Sequence, residues 1–229
     1  MNLDAGYNMI GVQFVNVGTA SAKDLTTAAQ LDTSMAGFDE EGNYDTQMMV
    51  WRNGNYLPAF GWSGSSGTDV LENSDLDNKW LNLDLEEVEG VELSPYDAVW
   101  IKAGSAGNVT ISGQVPTNDV TIALTEGYNM VANPFPMAVK VADFGVLSDN
   151  MPGFDEEGNY ATQMMVWKDG NYLPAFGWSG SSGTDVLENS DLDNKWLNLD
   201  LEETDDEVDF GHGVWIKAGS AGTITFKAP

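Results

Sequence analysis

Polar and apolar positions alternate in short runs along this chain, and Gly, Asn and Ser break the runs every few residues. Asn8 to Val15 places Ile10, Val12 and Phe14 on one side, the period of two of a half-buried strand. Thr46 to Trp51 and Asn55 to Phe60 flank Asn53-Gly54. Asn-Gly between two β-rich runs predicts a tight hairpin, because both turn residues must take positive φ. Trp80 to Glu86 predicts a strand with Leu81, Leu83 and Leu85 inward and Asn82, Asp84 and Glu86 outward. Val99 to Ala103 and Val109 to Ser112 read as another hairpin across Gly104-Ser105-Ala106-Gly107. A helix is predicted only at Ala22 to Gln30, with Ser21 as cap and Asp24 in the first turn. Its counterpart, Val139 to Leu147, is interrupted by Gly145 and predicts a turn of helix at most. Roughly seven short strands between Gly/Asn/Ser turns predict an all-β module of antiparallel sandwich or barrel type.

The pattern occurs twice. Phe38 to Glu87 recurs as Phe154 to Glu203 with three changes: Asp45 to Ala161, Arg52 to Lys168 and Asn53 to Asp169. The flanks differ more but still align. Gly6-Tyr7-Asn8-Met9-Ile10 matches Gly127 to Val131, and Val99 to Gly107 matches Val214 to Gly222. A period this long means tandem domains, since solenoid repeats run to about 20–50 residues. The expected modules are residues 1–115 and 119–229, each long enough to bury a core. The seam, Gly113 to Asn118, is too short for a long tether and predicts modules close together. Recent duplication would produce the near-identity, and so would one binding surface used twice. Met1 aligns with Ile122, so the leading strand of module 1 is expected to lack its first residues and to leave backbone groups open for another chain.

Charge narrows the partners. Thirty-six Asp and Glu against nine Lys and Arg give a net charge of -27. Such a surface repels nucleic acid and anionic membranes and attracts cations. There is no cysteine, which removes disulfides, thiolate chemistry and Cys-based zinc sites. No apolar stretch is long enough to span a membrane as a helix. Met1-Asn2-Leu3-Asp4 has neither a basic nor an apolar leader character, so a secretion signal is expected outside this chain.

Two oxygen-rich loops are candidates for calcium, which takes six to eight oxygen ligands. The first holds Asp39, Glu41, Asn43 and Asp45, repeated as Asp155, Glu157 and Asn159 with Ala161 in the last place. The second holds Asp75 and Asp77, repeated as Asp191 and Asp193. Solvated turns are the alternative for both. Each module has four Trp. Trp62 and Trp178 lie beside Gly/Ser-rich loops, where an exposed ring would stack on sugar; burial with a partner for the N–H is the alternative. Trp51, Trp80 and Trp100 belong to strands, in the core or on a sheet face.

Catalytic chemistry finds little footing. His212 is the only histidine and aligns with Asp97, in a Gly211-His212-Gly213 turn. A Cys-His pair is impossible and a Ser-His triad would exist in one copy only. Gly61-Trp62-Ser63-Gly64-Ser65 lacks the final Gly of a nucleophile elbow. Carboxylates are too abundant for any pair of them to stand out as a hydrolytic site. No catalytic residue is expected.

The landmarks resemble a group of secreted bacterial modules found in tandem in Verrucomicrobia- and Lentisphaerae-type proteins. The residues that carry the resemblance are Gly6-Tyr7-Asn8-Met9-Ile10 and Gly127 to Val131, the latter continuing as Ala132-Asn133-Pro134-Phe135-Pro136. Met49-Val50-Trp51 with Asn53-Gly54, and Gly213-Val214-Trp215-Ile216-Lys217, complete it; module 1 has Ala98 for that last Gly. The resemblance implies an all-β fold and export to the bacterial cell surface or beyond, and no assigned reaction. The expected role is a non-catalytic structural or assembly subunit of a filament, surface layer or matrix, pairing head-to-tail with itself. The alternative is a carbohydrate-binding or adhesive module whose partner is an extracellular glycan.

Overall fold

The computed structural model describes residues 1–12, 23–24, 30–37, 43–64, 74–88, 92–93, 95–154, 159–180 and 190–229. The chain divides into two compact units, Met1–Gln114 and Val115–Pro229. Among the described residues both are built of strands and short 3₁₀ turns, and no helix is long and apolar enough to cross a membrane.

Module 1 contains β1 (Asn2–Leu3), β2 (Gly6–Gly11), β3 (Lys23–Asp24), β4 (Gln30–Leu31), β5 (Gln47–Arg52) and β6 (Asn55–Tyr56). It continues with β7 (Phe60–Trp62), β8 (Trp80–Leu81), β9 (Glu92–Leu93), β10 (Ala98–Ala103) and β11 (Gly107–Thr110). Module 2 contains β12 (Val120–Leu124), β13 (Gly127–Ala132), β14 (Val139–Lys140), β15 (Val146–Leu147), β16 (Gln163–Lys168) and β17 (Asn171–Tyr172). It ends with β18 (Phe176–Trp178), β19 (Trp196–Leu197), β20 (Glu207–Val208), β21 (Gly213–Ala218) and β22 (Gly222–Phe226). The large sheet of module 1 runs β2-β10-β5-β7-β8, with β6 added beside β5. A second sheet runs β1-β11-β4, and β3 pairs β9. Module 2 repeats this as β13-β21-β16-β18-β19 with β17, β12-β22-β15, and β14-β20.

The Asn-Gly hairpin forms as the sequence predicts. Asn53 and Gly54 take φ of 52° and 81°, and Trp51 pairs Tyr56 across the turn. Asp169 and Gly170 do the same at 49° and 79°. The other expected hairpin does not form. β10 and β11 are consecutive but belong to different sheets. In module 2 the ladder of β13 and β21 ends at Gly127↔Ala218 and resumes in the second sheet at Leu124↔Gly222. Thr125-Glu126 therefore opposes Gly219-Ser220-Ala221, one residue more on one strand. That is the imbalance of a bulge, and bulges are where strands bend from one sheet into another. The Gly-Ser-Ala-Gly stretch is a corner, not a hairpin loop.

Between the two sheets lies the core. Leu3, Leu31 and Val109 of the small sheet pack in one cluster with Ile10, Met48, Val50, Trp62, Trp80, Val99 and Ile101 of the large one. Trp80 to Glu86 is not a strand throughout. Only Trp80–Leu81 pairs, and Leu83 is 66% exposed at the tip of a turn. Asn82 Oδ1 accepts hydrogen bonds from the backbone N–H of Asp84 and Glu86, and Leu85 takes φ of 62°. A local side-chain bond of this kind offers the backbone an alternative to the ladder. The helix expected at Ala22 to Gln30 is likewise displaced at its ends by β3 and β4; residues 25–29 lie outside the described residues. At Val139 to Leu147 the expected single turn is present, as a 3₁₀ turn over Val141–Asp143.

Candidate functional site

The calcium loops are only partly described. Asp39, Glu41, Asp155 and Glu157 lie outside the described residues. Asn43 and Asp45 are exposed, as is Asn159. The Asp45 N–H donates to Gly37 O, and the Ala161 N–H donates to Gly153 O in module 2, so the turn does not need the carboxylate. Asp75 and Asp191 sit on 3₁₀ turns with exposed side chains, and Asp77 and Asp193 are half-buried. Among the described residues no group of three or more His, Asp or Glu side chains is gathered to hold a metal ion.

Trp62 and Trp178 are not sugar platforms. Each is 1% exposed and meets its neighbour in the core, Trp80 or Trp196, at an interplanar angle of 62° or 60°. Their strands are short but central, and a Trp buries too much apolar surface to be left at a loop mouth when an inward position is open. Ser63 and Ser179 follow them into the interior, where each Oγ accepts from the backbone N–H of Lys79 or Lys195. These hydroxyls hold structure. Gly61 and Gly177 are fixed by packing as well: a Cβ at either place would overlap the ring of Tyr44 or Tyr160. Both tyrosine hydroxyls donate to backbone carbonyls, of Asn82 and Asn198. Burial pushes both phenols up, with Asp84 and Asp200 adding to it. His212 is half-buried in its turn, where its N–H donates to Asp209 O. Burial pushes its pKa down.

Four exposed tyrosines, Tyr7, Tyr56, Tyr128 and Tyr172, lie elsewhere, on the outer faces of the large sheets. Val99 and Ile101 of β10, Met48 and Val50 of β5 and Ile10 of β2 point into the core. Alternation then sends Trp100, Lys102, Gln47, Met49, Trp51, Tyr7 and Met9 to the opposite face. The register aligns them in rows. Tyr7 opposes Lys102, which opposes Gln47; Met9 opposes Trp100, which opposes Met49; Trp51 opposes Tyr56. Tyr7 meets Trp100 edge-on at 6.1 Å, and Trp51 meets Tyr56 at 4.9 Å. Tyr7 is 52% exposed and Tyr56 46%, while Trp100 lies beneath at 6%.

Module 2 rebuilds the face from Tyr128, Lys217, Gln163, Met130, Trp215, Met165, Trp167 and Tyr172. Tyr128–Trp215 and Trp167–Tyr172 repeat the ring contacts at 5.9 and 4.9 Å. Here the Trp215 indole hydrogen-bonds the Tyr172 hydroxyl, which opposes the upward push of burial on that phenol. None of the paired outer positions in β2, β10, β5 and β6, or in their module 2 counterparts, is Asp or Glu. The signal in sequence was the period of two through Tyr7-Asn8-Met9 and Trp100-Ile101-Lys102. It could not say which of the two faces is the inner one.

Compared with family models, curated proteins and solved structures, the chain shows no significant match. The resemblance to secreted tandem modules rests on its motifs alone.

Proposed function

We propose that this chain is a non-catalytic, extracellular structural or adhesive element, and that the outer face of each large sheet is its contact surface. One observation carries the reading. Tyr7, Met9, Trp100 and Lys102 recur as Tyr128, Met130, Trp215 and Lys217 although they lie outside the nearly identical block. Inward Asn8, Val99 and Ile101 recur with them and Met9 and Trp100 are buried, so the exposed part of the repeated face is Tyr7 and Lys102, copied as Tyr128 and Lys217. Aromatic residues and Met are enriched, and acidic residues depleted, at the centres of recognition surfaces. The motif resemblance to exported bacterial modules supports the location.

The test is retention. The purified chain is mixed with insoluble bacterial extracellular material and sedimented, beside a variant carrying Tyr7→Ala, Tyr56→Ala, Tyr128→Ala and Tyr172→Ala. The parent is expected in the pellet, the variant in the supernatant, with the material chemically unchanged. Equal retention of both proteins, or release of soluble products, would refute the reading.

A further inference from the structure

We infer that the outer sheet face docks a neutral polysaccharide, one stretch of polymer in each module. This rests on the reading of that face as the contact surface and adds the chemistry of what it contacts. Three observations select the partner. The first is shape. The aromatic groups run diagonally across the sheet, with half-exposed Tyr7 and Tyr56 at the two ends and Trp100 buried beneath Tyr7. A polymer lying along a surface is accommodated there, whereas a small ligand would have no enclosing wall.

The second is surface chemistry. The half-exposed Tyr rings offer apolar edges and faces to the C–H groups of a sugar ring. Their hydroxyls and the exposed Lys102 ammonium stand among them to meet sugar hydroxyls, while the Gln47 amide is held by its own bond to Tyr44 O. The rings are held before any ligand arrives, by the edge-on contacts with Trp100 and Trp51 and, in module 2, by the Trp215–Tyr172 hydrogen bond. Groups already ordered lose little entropy on binding. The third is charge. The face has no carboxylate at its paired positions, but the chain around it carries a net charge of -27. Acidic glycans and other polyanions are repelled within the Debye length, while an uncharged polymer feels only the face.

Duplication fits the same partner. Two copies of one face match a ligand that itself repeats, and simultaneous engagement raises the apparent affinity through effective concentration. Binding is therefore expected to be weak in one module and stronger in the pair.

The experiment is affinity electrophoresis and calorimetry of the full chain. The probes are a soluble mixed-linkage β-glucan, xyloglucan, arabinoxylan, galactomannan and dextran, with alginate as the anionic control. At least one neutral polymer is expected to retard the chain and alginate is not. Tyr7→Ala with Tyr56→Ala is expected to weaken binding by about ten- to a hundred-fold, as is Tyr128→Ala with Tyr172→Ala, and all four together to abolish it. The four rings are half-exposed, so the variants are expected to fold, checked by thermal unfolding. The four Tyr→Phe changes keep the rings and are expected to retain most of the binding. Retardation by none of the neutral polymers, stronger binding to alginate, or undiminished binding in the four-Ala variant would each overturn the inference. Self-association lost in the four-Ala variant, without polysaccharide binding, would also overturn it. That last result would leave the face as a contact surface, with a second copy as partner.

Discussion

The two modules share a central block almost residue for residue but differ in how the chain leads into it. From Gly11 to Leu31 module 1 takes five residues more than module 2 takes from Ala132 to Leu147. In module 2 this lead-in reaches the core. Phe144 is fully buried, its carbonyl accepts the Trp196 indole N–H at 2.9 Å, and its ring meets Phe226 edge-on at 5.1 Å. Asp143 beside it pairs with Lys195, whose pKa that contact raises. Ala28 and Ile111 hold the matching places in module 1. The shared block of module 2 is thus anchored from its own lead-in, through Phe144 and Asp143. A repeated sequence repeats local structure; stability is also set by what packs on it.

Removing the anchor should break that difference. Phe144→Ala is expected to cost module 2 about 3–5 kcal/mol, the range for deleting a buried aromatic side chain. Hydrogen exchange of the full chain checks it: module 2 amides lose protection and module 1 amides keep theirs. Equal loss in both would mean that the modules do not unfold separately.

Within the shared block the modules should behave alike. Gly61→Ala and Gly177→Ala each force a Cβ into a tyrosine ring, and each is expected to cost about 1–3 kcal/mol. Urea unfolding followed by exchange should return nearly equal losses. A large inequality would show that the frame reaches into the block.

Outside the block a smaller difference can be sharpened. Gly211 has φ of 85°, and the matching residue in module 1 is Tyr96 at 71°. Gly211→Ala is expected to destabilise module 2 by about 1–2 kcal/mol, the penalty of a left-handed side chain that module 1 already carries. Denaturant midpoints of parent and variant measure it.

The smallest effect depends on pH. Burial holds His212 below its ordinary pKa of 6.5. The unfolded chain therefore takes up the proton first as pH falls, and module 2 loses stability from about pH 6.5 downward. Module 1 has Asp97 there and lacks this contribution. His212→Gln should flatten the acid side of the module 2 exchange profile; an unchanged slope would place the sensitivity in other groups.

Legibility followed the range of the interactions. The Asn53-Gly54 hairpin was readable because its turn geometry is a property of two adjacent residues. The period of two in Trp100-Ile101-Lys102 was readable for the same reason. Leu83 misled because Asn82 bonds its own backbone and ends the alternation. Trp62 was half legible: the neighbouring Gly/Ser composition left exposure and burial both open, and the fold turns the ring into the core. The outer face was half legible: its residues could be named from the alternation, but not its side.

Sequence alone determined that this is a duplicated, acidic, all-β chain, since repetition, charge and alternation are each written in the order of residues. Tertiary structure alone decided that β10 and β11 part into different sheets, and that Trp62 is buried while Tyr7 is exposed. Those outcomes depend on which faces meet across the core. That choice minimises exposed apolar area over strands far apart in the chain, and no local pattern encodes it.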